Sequence, residues 1–263
     1  MEAVLGSDWA VPVHDVHELG PKGTTYCVVV PVINEGSRVL RQLRRMQDVP
    51  GLPDVIVADG GSTDGSSDPQ QLRPLGVRTL LIMRDVGRLS AQLRMAFAYA
   101  LREGYEGVVT VDGNNKDGIE AIPRFVAELE AGADFVQGSR FLPGGQAVNT
   151  PTSRLLAIRL IHTPLSSLFA GYRYTDTTNA FRGHSRRLLL HPGLRPFRDR
   201  FLKYELLAYM SVRAPQLGLL IREIPVRRAY PKRGRLPTKI SPWTGNVDLL
   251  FTLLKVGLRR YHP

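Results

Sequence analysis

Apolar residues recur along this chain in two rhythms, one of strands and one of helices. Tyr26 to Ile33 (YCVVVPVI) is a continuous, largely β-branched run, as a buried parallel strand requires. Asp54 to Ala58, Val77 to Met83, Gly107 to Val111 and Phe135 to Gly138 predict four more strands. Helical stretches fall between them. One runs from about Gly36 to Gln47. Leu89, Leu93, Phe97 and Leu101 then repeat at intervals of four and mark one apolar helical face. Ile119, Ile122, Val126 and Leu129 stripe the next helix. Strands alternating with helices imply an α/β fold with a mostly parallel sheet and right-handed crossovers. Ligands of such sheets bind at the carboxyl ends of the strands, where the strand order reverses.

After Gly145 the rhythm changes. A long helical segment, about Pro151 to Ala170, leads into the polar stretch TDTTNAFRGHS, then two helical pieces, a strand from Leu219 to Val226 and a basic loop. Residues 1–24 show no period and read as an extension, packed on the surface or partly loose. Residues 25–241 form one domain, with a donor half of about 25–118 and an acceptor half of about 119–241. Residues 242–263 make an apolar tail helix. Val247, Leu250, Phe251, Leu254 and Leu258 line one face of it, and Leu249, Leu253 and Val256 widen that face.

A chain of 263 residues, 43% apolar and 22% charged, has the composition of a globular protein with a sizeable core. The single cysteine, Cys27, lies in an apolar strand and reads as a small core residue. One thiol forms neither an internal disulfide nor a zinc cluster, and it suits a reducing cytoplasm. The N-terminal residues show no basic segment followed by an apolar stretch, so no signal peptide is expected. The longest apolar stretch near the end, Leu249 to Leu258, contains Lys255 and falls short of the ~20 residues a membrane span needs.

The net charge of +11 is unevenly spread. Between Arg222 and Lys239 stand Arg222, Arg227, Arg228, Lys232, Arg233, Arg235 and Lys239 against the one acid Glu223. Tyr230 alone interleaves an aromatic ring, and no nucleic-acid motif is present, so an anionic membrane or a phosphorylated substrate is the better partner. A chain of this kind is expected in the cytoplasm, where its basic loop can dock it on the inner face of a membrane. The tail helix then rests on lipid, on the domain or on a second subunit.

Polar clusters follow four successive strands: Asn34-Glu35, Asp59 within ADGGSTDGS, Asp85 with Arg88, and Asp112 within VDGNNKDG. A carboxylate at one strand end is usually a turn former or helix cap. Four such groups on one sheet edge are what a nucleotide pocket needs. Gly60 to Gly65 forms a tight turn with exposed N–H groups, but it is neither a P-loop nor a G-x-G-x-x-G fingerprint, which removes the main support for a kinase or dehydrogenase.

These segments, in this order, resemble the signatures of family 2 glycosyltransferases of the GT-A fold. VVVPVINEG is similar to the opening strand with Pro-x-x-Asn-Glu, and VADGGSTDGS to the second signature. VDGNNKDG sits where the family has Asp-x-Asp, and QGSRF matches its Gly-Ser-Arg segment. TDTTNAFRGHSRRLL and REIPVRRAYPKRGR resemble the dolichol-phosphate mannosyltransferase-like branch. The resemblance covers roughly Tyr26 to Ser241. It implies an inverting transfer of a hexosyl or N-acetylhexosaminyl group from a nucleotide sugar, UDP- before GDP-linked, to a lipid phosphate or a glycan hydroxyl. Polysaccharide or glycolipid assembly is the implied setting, with a specialised metabolite as another acceptor.

The resemblance also implies roles. Pro31, Asn34, Glu35, Asp59, Arg88, Asp112, Gly113, Asn114 and Lys116 bind the donor. Asp112 and Asn114 hold Mg²⁺ or Mn²⁺. Arg140, Arg154, Arg182, Arg228, Lys232 and Arg233 grip phosphate, which suits the planar guanidinium fork. Where the acceptor is a hydroxyl, Asp176 is the first candidate base and Glu205 the second, beside Asp112 in the catalytic set. The chain departs from the family pattern at the metal site. Asn114 offers a neutral carbonyl where relatives have a carboxylate, and Lys116 has no lone pair at all. Lys116 is therefore expected to neutralise diphosphate charge directly, with Asp117 as a spare ligand or its ion-pair partner. The same departure favours the main alternative, a non-catalytic nucleotide-sugar-binding protein. A sugar nucleotidyltransferase is disfavoured because its Gly-rich opening is missing.

Overall fold

A computed structural model describes residues 6–231 and 244–263. Among the described residues the strands are β1 (His14–Glu18), β2 (Tyr26–Val32), β3 (Asp54–Asp59), β4 (Val77–Met83), β5 (Gly107–Thr110), β6 (Phe135–Ser139), β7 (Gln146–Val148), β8 (Arg182–Ser185), β9 (Ile221–Pro225) and β10 (Arg227–Ala229). The helices are α1 (Ser37–Gln47), α2 (Pro69–Leu72), α3 (Leu89–Arg102), α4 (Ile122–Glu130), α5 (Thr152–Ala157), α6 (Thr163–Ala170), α7 (Arg186–Leu189), α8 (Glu205–Gln216) and α9 (Thr244–Gly257). A π-helical turn, Ile158–His162, joins α5 to α6.

Eight strands form one sheet in the order β1-β4-β3-β2-β5-β8-β6-β9, and β7 pairs with β10 in a small second sheet. The run β4-β3-β2-β5 is parallel, as the alternating pattern predicts. Successive residues of β2 supply opposite cores. Cys27 and Val29 face α3 and α8, while Val28, Val30 and Val32 face α1 and α4. Cys27 is fully buried, and burial pushes its thiol pKa up, as an inert core residue requires. The chain steps from β2 outward to β3 and β4, then returns across them to β5. The order therefore reverses between β2 and β5, and the polar clusters meet at that point.

One sequence expectation changes. Residues 6–19 are part of the fold: β1 pairs antiparallel with β4, and Trp9 stacks on Phe197 at 3.9 Å. The polar stretch TDTTNAFRGHS ends in a strand that the apolar pattern does not predict, since Arg182–Ser185 forms β8, an antiparallel strand inserted between β5 and β6. The tail helix α9 packs on α6 and α8, burying Leu253 and Val256 and leaving Phe251 and Leu258 exposed. Among the described residues no helix is long and apolar enough to cross a membrane.

Candidate active site

The site is built from the ends of β3, β2 and β5, which are neighbours in the sheet. Asp59 closes β3 opposite Val32. Its buried carboxylate accepts from the N–H groups of Gly61 and Ser62 at 3.2 and 2.9 Å and from the Ser62 hydroxyl at 2.5 Å. Asn34, with φ of 48°, accepts from Thr63 N through its amide oxygen at 2.8 Å and donates its own N–H to Ser62 Oγ at 2.9 Å. Gly36 N donates to Asp64 at 2.8 Å. The loops after β2 and β3 thus form one rigid edge. Beneath it, the Gln92 amide on α3 donates to Val32 O and Ala58 O at 2.7 and 3.0 Å, pinning the two strand ends together. Glu35 pairs with Arg38 at 2.9 Å.

Gly113 lies in the reversal itself. A Cβ there would stand 3.0 Å from Pro31 O and from Val32 Cγ2, so a side chain at residue 113 would crowd the close approach of the Asp112 loop to the β2 end. Pro31, Leu89, Thr110, Asp112, Ala180 and Leu207 line a small hollow beside it.

Arg228 organises the charges. Its Nη2 donates to Asp112 Oδ2 at 2.8 Å, and its Nη1 donates to Asp117 at 2.6 and 2.8 Å and to Asn179 Oδ1 at 3.3 Å. Burial opposes ionisation of Asp112, but Arg228 and Lys116 outweigh it and hold the carboxyl below its usual range. At Asp117, which is deeper, burial prevails and raises the pKa despite Arg228. Lys116 is only 5% exposed, and its ammonium lies 4.9 Å from the Tyr230 ring centre. Burial, then repulsion from Arg228, lowers its pKa to about 8. The Tyr230 hydroxyl in turn accepts from Arg154 Nη1 at 2.9 Å. Burial raises the Tyr230 pKa, yet Arg228, Lys116 and Arg154 together bring it below the ordinary phenol value. One contact network therefore runs from the sheet edge to the start of α5.

The other residues singled out by sequence stand elsewhere. Asp176 is fully buried and receives Arg140 Nε at 2.7 Å and Arg140 Nη2 at 2.9 Å. Each satisfies the other, so this pair is a brace where sequence suggested a base and a phosphate grip. Glu223 holds the same turn, accepting from Thr175 N at 2.9 Å and Asp176 N at 3.3 Å. Arg182 is also closed in. It donates to the carbonyls of Asn179, Leu207 and Thr177 at 2.7–3.0 Å, tying that loop to α8. Glu205 accepts from Lys203 N at 2.7 Å at the start of α8. Arg88 is exposed at the start of α3, while Asp85 accepts from Val13 N at 2.7 Å. Arg228 is buried in the charge network and not part of an open basic loop; Lys232 and Arg233 lie outside the described residues. Sequence reasoning gave no role to Tyr230 or Glu223 and did not foresee that Arg228 pairs with Asp117. The spacing between positions 117 and 228 carries no local signal.

Among the described residues no cluster of three or more His, Cys, Asp or Glu side chains is arranged around a metal position. Asp112 and Asn114 still fit a divalent cation held jointly with a substrate. The amide Nδ2 of Asn114 donates to Asp112 Oδ2 at 3.2 Å, and its Oδ1 is buried with no hydrogen-bond partner. One carboxylate and one orphaned carbonyl match a Mg²⁺- or Mn²⁺-like ion that takes its remaining ligands from phosphate oxygens and water.

A mostly parallel sheet with acidic strand ends at its reversal, faced by buried cations, has the architecture of a GT-A-like α/β domain. The model of glycosyl transferase family 2 matches residues 27–198. The chain belongs to that family and is a glycosyltransferase. Curated relatives fall in the branch that the sequence motifs suggest. The undecaprenyl-phosphate mannosyltransferase of Micrococcus luteus is 28% identical over 75% of this chain and 81% of its own length. The polyprenol monophosphomannose synthase of Mycolicibacterium smegmatis is 26% identical over 88% of this chain and 86% of its own. The solved glucosyl-3-phosphoglycerate synthase of Mycobacterium tuberculosis, in complex with Mn²⁺, uridine-diphosphate and phosphoglyceric acid, superposes with a TM-score of 0.64 at 17% identity. That match covers 90% of this chain and 78% of that one, and it shows a shared fold.

Proposed function

We propose that this glycosyltransferase moves a mannosyl or related hexosyl group from a nucleotide sugar to a polyprenyl phosphate, with inversion at the anomeric carbon. The observation that carries the reading is the convergence of Asp59, Asn34 and Asp112 on the β2/β5 reversal, with Arg228 and Lys116 beside them. Both curated relatives are named for mannosyl transfer to a polyprenyl acceptor, which shifts the donor preference from a UDP-sugar towards a mannosyl donor.

In this reading a phosphate oxygen of the acceptor attacks the anomeric carbon, the bond to the nucleoside diphosphate breaks, and negative charge gathers on the departing diphosphate. Fixed cations at that position lower the barrier because they need no reorganisation as charge develops. Lys116 and Arg228 supply them from the protein. A Mg²⁺ or Mn²⁺ ion on Asp112 and Asn114 would add Lewis-acid neutralisation when bound. An acceptor phosphate is already ionised, so no base is required, in keeping with an Asp176 that is committed to Arg140. Asp59 and Asn34 shape the loop against which the nucleoside lies, while Arg154, joined to Tyr230, faces the acceptor side.

The test is transfer from a panel of UDP-, GDP- and dTDP-sugars, GDP-mannose included, to a polyprenyl phosphate, with recovery of label in the organic phase. The same panel with a free sugar hydroxyl as acceptor should give little product. Labelled product formed on the hydroxyl alone would overturn the phosphate-acceptor reading. Nucleotide-sugar binding without any transfer would favour the non-catalytic alternative.

A further inference from the structure

Exposed apolar surface is concentrated beside the site on one helical segment. Leu156, Leu160, Ile161 and Leu168 are 51%, 69%, 43% and 74% exposed, and they fall within thirteen residues. Pro164, also exposed, completes a Leu156–Leu160–Pro164–Leu168 ladder at intervals of four, which keeps its members on one side of a helix. The π-turn Ile158–His162 lies within this ladder, and there Leu160 and Ile161 are both exposed. The segment is firmly seated on its other side, where Ile158, Thr163, Ser166 and Ala170 are buried. A helix so anchored with leucines turned to water is unusual for a free surface.

Its charge is equally one-sided. From Phe135 to Thr175 the chain has no Asp or Glu, while Arg140, Arg154, Arg159 and Arg173 fall in that stretch. Arg159 and Arg173 are exposed. Leucines flanked by arginines, with no carboxylate to repel acidic headgroups, match an interfacial helix on an anionic lipid surface. The segment that carries the ladder supplies no acid of its own to offset these arginines. The ladder also begins two residues after Arg154, whose guanidinium reaches the charge network through Tyr230.

We propose that α5, the π-turn and α6 form the membrane-docking element. Leu156, Leu160, Ile161 and Leu168 enter the acyl boundary of an anionic leaflet, Arg159 meets headgroup phosphates, and Arg154 stands where a lipid-borne phosphate passes to the site. The proposal rests on the polyprenyl-phosphate reading for its purpose, but its test is separate. Full-length protein is sedimented with vesicles of phosphatidylglycerol and phosphatidylcholine and with phosphatidylcholine alone, as wild type, as Leu160→Glu with Leu168→Glu, and as Val13→Glu. Val13 is 64% exposed beside β1 and serves as the control. Wild type and Val13→Glu should sediment with the anionic vesicles, and the double variant should partition at least about tenfold less. Thermal shift by nucleoside diphosphate should be equal in all three, which establishes folding and donor binding independently. If glutamate unfolds the chain, Leu160→Gln with Leu168→Gln replaces it. A double variant that sediments like wild type overturns the proposal. So does a wild type that ignores vesicles and loses self-association on substitution, which would make the face a contact between copies. Vesicle binding that depends on the ladder, with no transfer to polyprenyl phosphate, would leave docking standing and remove the functional reading.

Discussion

Arg228 holds Asp112 by an Nη2–Oδ2 contact of 2.8 Å while its other terminal nitrogen, Nη1, holds Asp117. A residue of β10 thereby ties the donor edge of the sheet to the strand on which the basic segment begins. The guanidinium fork is what permits this, because a lysine presents only a single ammonium. The network is also unforgiving. Removing the cation takes from Asp117, wholly buried, the guanidinium that pairs with it.

Arg228→Ala should therefore lower stability by about 3–5 kcal/mol, as breaking a buried pair from one side does. Arg228→Lys should fall between. Denaturant unfolding gives the stability, and nucleoside-diphosphate titration gives the loss of donor binding. In a cycle with Asp117→Ala, the double variant should recover about 1 kcal/mol or more relative to the sum of the singles. Strict additivity would show that the two side chains act independently.

Arg140 and Asp176 make a second closed pair, with side chains 2% and 0% exposed. Asp176→Asn keeps the shape and removes the charge, so Arg140 is left buried and uncompensated. The expected result is destabilisation of about 3 kcal/mol or more, with kcat per folded molecule changed less than tenfold. A base role predicts the reverse: an unchanged melting temperature and a loss of ~10²–10⁴-fold in kcat with a hydroxyl acceptor. Measuring melting and single-turnover transfer on one preparation separates the two.

The contrast between these pairs and the sequence reading shows what was legible. Val28 to Val32, Ile56 to Ala58 and Leu80 to Met83 announce buried parallel strands because continuous apolar runs have few other uses. The polar residues at their ends are then placed by topology alone, which is how Asp59 and Asp112 come to strand ends on either side of β2. Arg182-Gly183-His184-Ser185 gives no such sign. It is a central strand, yet its buried residues are an arginine satisfied by three carbonyls and a histidine between aromatic rings. Burial of that kind depends on partners distant in sequence, such as Leu207 and Phe97. The same holds for Asp176: a loop aspartate reads as a base or a turn former until Arg140 is found against it.

The departure at Asn114 and Lys116 gives a metal prediction. Asn114→Asp should tighten Mn²⁺ binding in the presence of nucleoside diphosphate by roughly tenfold or more, since an anionic ligand replaces a neutral one. Lys116→Gln should weaken nucleoside-diphosphate binding in EDTA by roughly tenfold or more, the worth of a hydrogen bond to a charged group, and less when Mg²⁺ is present. Titration calorimetry reads both. Wild-type binding that vanishes in EDTA and returns fully with Mg²⁺ would show that Lys116 does not share the diphosphate charge.

His184 gives the pH prediction. Its ring is fully buried in β8, with centroids 5.0 and 5.5 Å from those of Phe97 and Phe135. Nδ1 lies 3.3 Å from Val108 O, and Nε2 has no hydrogen-bond partner. Burial, reinforced by Arg182, pulls its pKa from 6.5 to about 3. The folded chain thus holds this imidazole neutral, while the unfolded chain protonates it below its ordinary pKa. The unfolded state therefore binds the extra proton, and stability must fall as pH drops. The contribution is complete above about pH 6.5 and shrinks by about 1.4 kcal/mol per unit below it, until the folded ring itself titrates near 3. Between about pH 7.5 and 5 the loss from this group alone should be about 2 kcal/mol. Other groups titrate in the same window, so the informative quantity is the difference from His184→Gln, which lacks the proton site. The variant should be less stable at neutral pH, and the gap should close towards pH 5 by about that amount. Urea unfolding at a series of pH values measures it. Parallel curves for the two proteins would mean that the ring is already accessible to protons in the folded state.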